Sequence, residues 1–384
     1  MMRNNFYPTQ AANRIELLDV LRGFAIAGVL LSNIIILSGH VFTPISDLNN
    51  MPMASLNESL SMIAASVIQG KFYPILMILF GAGLFMQFRK SKQDGFLKFF
   101  SWRMFVLILI GVLHSTFWAG DVVTIYALFA FLLIPMRNMK PKTYLIVAVL
   151  LFLVHFSVAY YQSVAATSVE STERIAQFEL PGVSPNDLID KVRNEGFAGM
   201  WFITKKQMSI LWTIPRYMRV TPSTLLLFLL GAYLFGIGFL SEKARKAKYL
   251  LLFLIIGLIG TYLMFYVSYS FSIIGNLFLA LSYISLIAMI METRRGQKLL
   301  KGLAPMGRMA LSNYIMQSVI CILIFYGVGF AYFAKLPLYM IFLIAILILQ
   351  FQITFSKLWL RKYQFGPLEG VWRRLTYGKN CNKQ

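Results

Sequence analysis

Apolar runs of span length recur along the chain, separated by short segments rich in Lys and Arg. A bilayer core takes roughly 20 helical residues to cross. The runs therefore predict about ten transmembrane helices, at 17–38, 72–88, 104–118, 122–136, 143–165, 222–240, 249–268, 272–291, 309–330 and 337–355. The expected architecture is all-α, a polytopic helical bundle with short interfacial helices. Two segments break the pattern. Residues 58–70 are apolar but too short to cross, and Gly70, Lys71 and Pro74 interrupt them from the next run. That suits a helix lying at, or re-entering from, the outer surface. Residues 196–221 interleave Trp201, Phe202, Trp212 and Tyr217 with Lys205, Lys206, Arg216 and Arg219. Such cations either snorkel to lipid phosphates or form an anion-binding mouth.

Polar residues inside the runs point to chemistry. The first run, LLDVLRGFAIAGVLLSNIIILS, contains Asp19, Arg22 and Asn33. A charge near the centre of a span costs about 2.5–3.5 kcal/mol on insertion scales, a burden that a simple anchor has no reason to carry. Spacings of three and then eleven residues put all three on nearly one stripe of a helix, like one wall of a polar passage. The third run repeats the eleven-residue spacing from Arg103 to His114. Beyond it, Trp118-Ala-Gly-Asp121 predicts a tight turn at the outer surface that returns Asp121 toward His114. A carboxylate beside an imidazole fixes its tautomer and raises its basicity, as a general base requires.

Other polar positions have plainer readings. His40, just past the first span, is a second candidate histidine, and His155, inside the fifth span with no charge nearby, reads as structural. Lys71 must be wet or paired. The run Leu79-Phe80-Gly81-Ala82-Gly83 supplies small residues for close helix contact. Asn313 and Tyr314, after Gly307-Arg308, either bond across helices or line a cavity. The tail from Gly366 to Arg374 predicts a folded cap with Glu369 and Arg373 at i and i+4, its arginines meeting anionic lipid or phosphate.

Composition narrows the class. Of 384 residues 58% are hydrophobic and 13% charged, against about 25% charged in an ordinary soluble domain. The net charge of +21 invites a nucleic-acid reading, but the cations sit in short blocks between apolar runs, so no nucleic-acid partner is expected and the bilayer is the surrounding medium. A cleaved signal peptide is excluded by the charges of the first span. With two cysteines and three histidines, neither a disulfide framework nor a metal site is expected, and no tightly bound cofactor.

Charge also sets orientation. With both termini in the cytoplasm, the inner segments together with Arg22 hold 27 of the 36 basic residues. The outer loop 39–58 has no Lys or Arg, and 166–195 carries six acids against Arg174, Lys191 and Arg193. The chain is read as one integral membrane domain. Its parts are a five-span half at 1–165 holding the candidate site, an outer loop and interfacial segment at 166–221, and a five-span half with a cytoplasmic tail at 222–384.

Five motifs in order carry a resemblance over nearly the whole chain. They are Asp19-x-x-Arg22-Gly23-x-Ala25 ending at Asn33, Lys71-Phe72 to Leu79-Phe80-Gly81-x-Gly83, and Arg103 to Gly111-x-x-His114, Gly120-Asp121 and Tyr126-Ala127. Gly307-Arg308-x-Ala310-Leu311-x-Asn313-Tyr314 and Gly366-Pro367-Leu368-Glu369 with Trp372-Arg373 complete the set. Together they resemble the YeiB family of bacterial integral membrane proteins, whose C-terminal half is a domain of unknown function. That family is similar to transmembrane acyltransferases, including the lysosomal heparan-α-glucosaminide N-acetyltransferase.

The resemblance implies transfer of an acyl group from cytoplasmic acyl-CoA, acetyl-CoA for instance, to a small-molecule or glycan acceptor across a bacterial plasma membrane. It implies that Arg22 and Arg103 face the acyl-CoA, with Asp19, Lys71, Arg308, Asn313 and Tyr314 as further binding residues. His114, oriented by Asp121, would deprotonate the acceptor or carry the acyl group, while Asn33 steadies the oxyanion. The competing readings are a transporter or exporter of a small anionic or amphipathic solute, and a non-catalytic scaffold. A second copy of the chain, forming a homodimer, is admissible under each.

Overall fold

A computed structural model describes residues 15–89, 92–166, 180, 182–211, 214–240 and 243–378, with the backbone alone at 165–166, 210–211 and 214–220. Arg174 and Cys381, and the side chains of Trp212, Arg216, Tyr217 and Arg219, lie outside the described residues. Among the described residues every regular element is helical. In chain order these are α1 (Glu16–Leu37), α2 (Ile45–Asn49), α3 (Ala54–Ile63), α4 (Phe72–Phe88), α5 (Phe96–Ser115) and α6 (Val123–Leu132). There follow α7 (Pro141–Ala166), α8 (Pro185–Asn194), α9 (Gly196–Leu211), α10 (Ile214–Gly236), α11 (Ala247–Tyr266) and α12 (Ser272–Ile290). The last five are α13 (Arg294–Leu300), α14 (Leu303–Arg308), α15 (Ala310–Phe325), α16 (Leu338–Lys362) and α17 (Pro367–Tyr377).

Seven helical stretches are long and apolar enough to cross a membrane: Glu16–Phe42, Ala54–Phe88, Phe96–Ser115, Pro141–Val164, Ala247–Tyr266, Tyr269–Ile290 and Leu338–Lys362. Three shorter apolar helices, Val123–Leu132, Thr221–Gly236 and Ala310–Phe325, accompany them. Each of the ten predicted runs thus coincides with an apolar helix, though three of these helices fall short of a full span. The ten residues of α6 reach only about 15 Å, half a bilayer core.

The interruption before the second run is built differently from a free interfacial helix. α3 passes into a π-helical turn, Ala64–Ile68, and only then breaks at Gly70, whose φ of +79° a side-chain-bearing residue rarely adopts. Helices otherwise meet through small residues. A Cβ at Gly81 of α4 would overlap the Phe228 carbonyl of α10, and one at Gly231 would overlap that of Ile78. Apolar contact alone cannot drive association inside lipid, so this close approach is where packing energy comes from.

Side-chain amides join α15 and α16. Gln317 donates to Gln352 Oε1 at 2.9 Å and toward the Ile26 carbonyl of α1 at 3.3 Å, while Gln352 donates to the Asn313 carbonyl at 2.8 Å. Asn313 donates to Ser356 Oγ at 2.9 Å and to the Met306 carbonyl at 3.1 Å. All four side chains are buried, and interhelical bonds of this kind contribute about 0.6–2 kcal/mol each. Asn313 therefore bonds across helices.

Two apolar clusters divide the bundle lengthwise. The larger gathers α1, α4, α5, α6, α10 and α12. The smaller collects the end of α1 with α8, α9, α15 and α16. α8 opens with Ser184 accepting from the Asp187 N–H at 3.1 Å and with Pro185 in its first turn, a sequence-encoded start. Its Leu188, Ile189 and Val192 face inward. At the opposite end of the bundle the tail forms α17, packed against α5 and α15. The predicted cap is present.

Candidate functional site

α5 and its continuation into α6 hold the central feature. His114 is 1% exposed and Asp121 4%. His114 Nδ1 lies 2.8 Å from Asp121 Oδ1, and His114 Nε2 lies 3.0 Å from Ser318 Oγ of α15. Asp121 is fixed by its place at the start of α6, accepting from the N–H groups of Thr124 at 2.7 Å and Val123 at 3.2 Å. A carboxylate at a helix N-terminus is favourably placed. With Nδ1–H donated to a carboxylate, the network assigns the Nε2 lone pair to the Ser318 hydroxyl. The close return of α6 is permitted by Gly111, where a Cβ would collide with the backbone of Thr124.

The turn itself departs from expectation. Instead of lying at the surface, Trp118, Ala119 and Asp121 are buried, because α8 and α9 fold over them; Trp118 shares its apolar cluster with Val192, Met200 and Ile203. Tyr314 braces the turn from α15, donating to the Gly120 carbonyl at 2.9 Å and accepting from the Val122 N–H at 3.2 Å. Its ring stands edge-on to His114 at 5.1 Å, as does Phe117 at the same distance. The Trp118 indole N–H sits near the Tyr314 hydroxyl but outside hydrogen-bond geometry.

The second partner of His114 comes from α15 rather than from α1, the helix expected to face it. α15 touches both: Gln317 reaches the Ile26 carbonyl of α1, while Tyr314 and Ser318 reach the α5–α6 turn. Asn33 is half-buried on α1, and the structure brings it to neither His114 nor Asp121 by a hydrogen bond. His40 is buried in the turn after α1, its Nδ1 unpartnered among the described residues, and His155 is buried on α7.

A second polar group lies at the α17 end. Arg22 donates to Asp19 at 2.6 Å, a short i,i+3 pair. Both line a cavity of about 200 Å³ together with Arg308, Phe365, Glu369 and Arg373. Arg103 does not line that cavity. Its guanidinium stacks 3.9 Å above the Trp372 ring and donates to the Tyr377 hydroxyl at 2.9 Å, while Trp372 Nε1–H donates to the Arg103 carbonyl at 3.1 Å.

Glu369 accepts from the Leu311 N–H at 2.8 Å, from the Ser312 N–H at 3.1 Å and from the Ser312 hydroxyl. Burial pushes its carboxyl above the usual glutamate range, and these hydrogen bonds pull it back. The carboxylate thus caps α15. Lys71, 1% exposed, donates to the Ala65 carbonyl at 2.6 Å, so it is paired to backbone at the end of the π-turn. Among the described residues no cluster of three or more His, Cys, Asp or Glu side chains forms.

Ser318 is the site residue that sequence reading missed. Tyr314 and Ser318 stand at i and i+4, on one face of the helix. That pairing is the signal that could have found it.

Apolar helices of span length around a buried histidine–carboxylate–hydroxyl chain define a multi-pass membrane protein with a polar interior. Residues 234–379 match the family described as Protein of unknown function (DUF418). The chain is 30% identical to the Uncharacterized protein YxaH of Bacillus subtilis (strain 168), covering 97% of each chain. It is 26% identical to the Uncharacterized protein YeiB of Escherichia coli (strain K12), covering 94% of this chain and 95% of that one. It belongs to the DUF418 family, to which the motif resemblance pointed. No solved structure matches it.

Proposed function

We propose that the chain is a membrane-embedded acyltransferase that passes an acyl group from cytoplasmic acyl-CoA to an acceptor at or beyond the outer face of a bacterial plasma membrane. One observation carries this reading: His114 is held between a fixed carboxylate and a hydroxyl inside an apolar bundle, at 2.8 and 3.0 Å. That is the arrangement of a general base. The supporting frame is a bundle of about ten spans with both termini in the cytoplasm, an orientation inferred from the excess of basic residues in the segments on that side. The α17 end is then cytoplasmic, and the cavity edged by Arg22, Arg308 and Arg373 opens toward the side that supplies acyl-CoA.

The experiment is incubation of the purified protein in nanodiscs with acetyl-CoA labelled in the acetyl group. Wild type should consume thioester above a protein-free control, and His114→Ala should abolish the excess. Absence of thioester loss in wild type would overturn the enzymatic reading. Counterflow of an anionic solute in proteoliposomes would put transport in its place.

A further inference from the structure

We infer that Ser318 is a nucleophile, and that acyl transfer proceeds through an acyl ester on its Oγ, with His114 as base and Asp121 as the group that orients His114. The inference rests on the transferase reading for the identity of the acyl donor. The nucleophile itself rests on geometry. Ser318 Oγ, His114 Nε2, His114 Nδ1 and Asp121 Oδ1 form one continuous chain with both links within 3.0 Å. This is nucleophile, base and orienter in the order nucleophilic catalysis needs. The three residues come from α15, α5 and the start of α6, so the arrangement is a product of tertiary packing and not of local sequence.

Each further requirement has a counterpart nearby. Ser318 is 2% exposed, and a dry site protects an acyl ester from hydrolysis until an acceptor arrives. The Trp118 indole N–H is buried on the same turn, next to the Tyr314 hydroxyl. Just beyond His114, Ser115 and Thr116 line an apolar pocket of about 490 Å³ with Trp201, Thr204, Lys205 and Met208.

The steps balance without any further reagent. His114 Nε2 takes the Ser318 proton as Oγ adds to the thioester carbonyl carbon. Collapse breaks the C–S bond, and the departing thiolate takes the proton from His114. The acceptor hydroxyl or amine then gives its proton to His114 and attacks the ester carbonyl. The C–Oγ bond breaks, and Ser318 recovers the proton.

An alkyl fluorophosphonate tests the nucleophile, and labelled acetyl-CoA tests the intermediate, both on the full chain in nanodiscs with the modified peptide mapped by mass spectrometry. The fluorophosphonate should label wild type at Ser318, and His114→Ala should slow labelling by about 100-fold or more. Acetyl-CoA without acceptor should leave an acetyl group at Ser318 that survives neutral pH and is removed by alkaline hydroxylamine. An acetyl group on His114, lost at neutral pH as an acylimidazole, would overturn the inference. Thioester turnover with neither label on Ser318 would do the same while leaving the transferase reading intact. Fluorophosphonate on Ser318 with no acetyl transfer would uphold the nucleophile and remove acyl-CoA as donor. Because the modified residue is located in wild type, a Ser318→Ala variant that fails to fold does not blunt the result.

Discussion

Replacing Glu369 with alanine should release the tail helix from the bundle. The carboxylate accepts from two main-chain donors, Leu311 and Ser312, at 2.8 and 3.1 Å, and from the Ser312 hydroxyl. A buried donor left without its acceptor costs about 1–3 kcal/mol. For two main-chain donors, with water recovering part of the loss, the expected weakening is about 2–4 kcal/mol. At 1.4 kcal/mol per decade the undocked population rises roughly 30- to 700-fold. Hydrogen exchange read by mass spectrometry over Pro367–Tyr377, in nanodiscs, measures this directly as lost protection. Protection within about twofold of wild type would show that α17 is held by its aromatic contacts to α5 and that the cap contributes little.

The same carboxyl has a pH signature. Its pKa in the docked form lies above the ordinary glutamate value because burial dominates. Docking should therefore be strongest below the ordinary value, weaken as pH rises toward the shifted one, and level off above it. Glu369→Gln should flatten the curve. Docking that strengthened from acid to neutral pH would mean that the hydrogen bonds outweigh burial.

Three further outcomes follow from the geometry. Asp121→Asn should lower thermal stability by about 1.5–3 kcal/mol through loss of charge-assisted bonds, and should depress thioester turnover far more than it unfolds the protein; equal losses in the two assays would make Asp121 purely structural. Arg103→Lys should weaken α17 docking by about 0.5–2 kcal/mol, since an ammonium cannot reproduce the guanidinium stacked on Trp372; a double-mutant cycle with Trp372→Leu showing additivity would refute the stacking contribution. Lys71→Met should raise the midpoint of thermal unfolding, because the ammonium is buried against the Ala65 carbonyl and burying a charge without a charged partner is costly; a lowered midpoint would reveal a stronger interaction at that position.

Much of the bundle is legible in the chain because membrane spans are defined by local composition. A stretch such as 249–268 has to be helical wherever its neighbours lie, since nothing else satisfies its backbone in lipid. The His114–Asp121 pair is legible for a related reason: seven residues and one turn leave few ways to arrange it. What failed to show was everything fixed by packing between distant segments. Ser318 meets His114 across 204 residues, and only assembly of α15 against the α5–α6 turn brings them together. Arg103 reads as a ligand-facing cation when its span is viewed alone. Its actual neighbours, Trp372 and Tyr377, come from a helix more than 260 residues away. The buried turn at Trp118 reads as a surface turn until α8 and α9 are laid over it.

The tail holds α15 in its first turn, at Leu311 and Ser312, and Ser318 follows less than two turns further on. Over so short a length a helix moves as a rigid rod, so its two ends have no independent positions. If undocking of α17 shifts the Ser318 hydroxyl, thermodynamic reciprocity requires an occupant bound at His114 to alter the grip on Glu369 by the same free energy. Such a link between the tail helix and the buried histidine would have one strength, a single number that can be measured from either end.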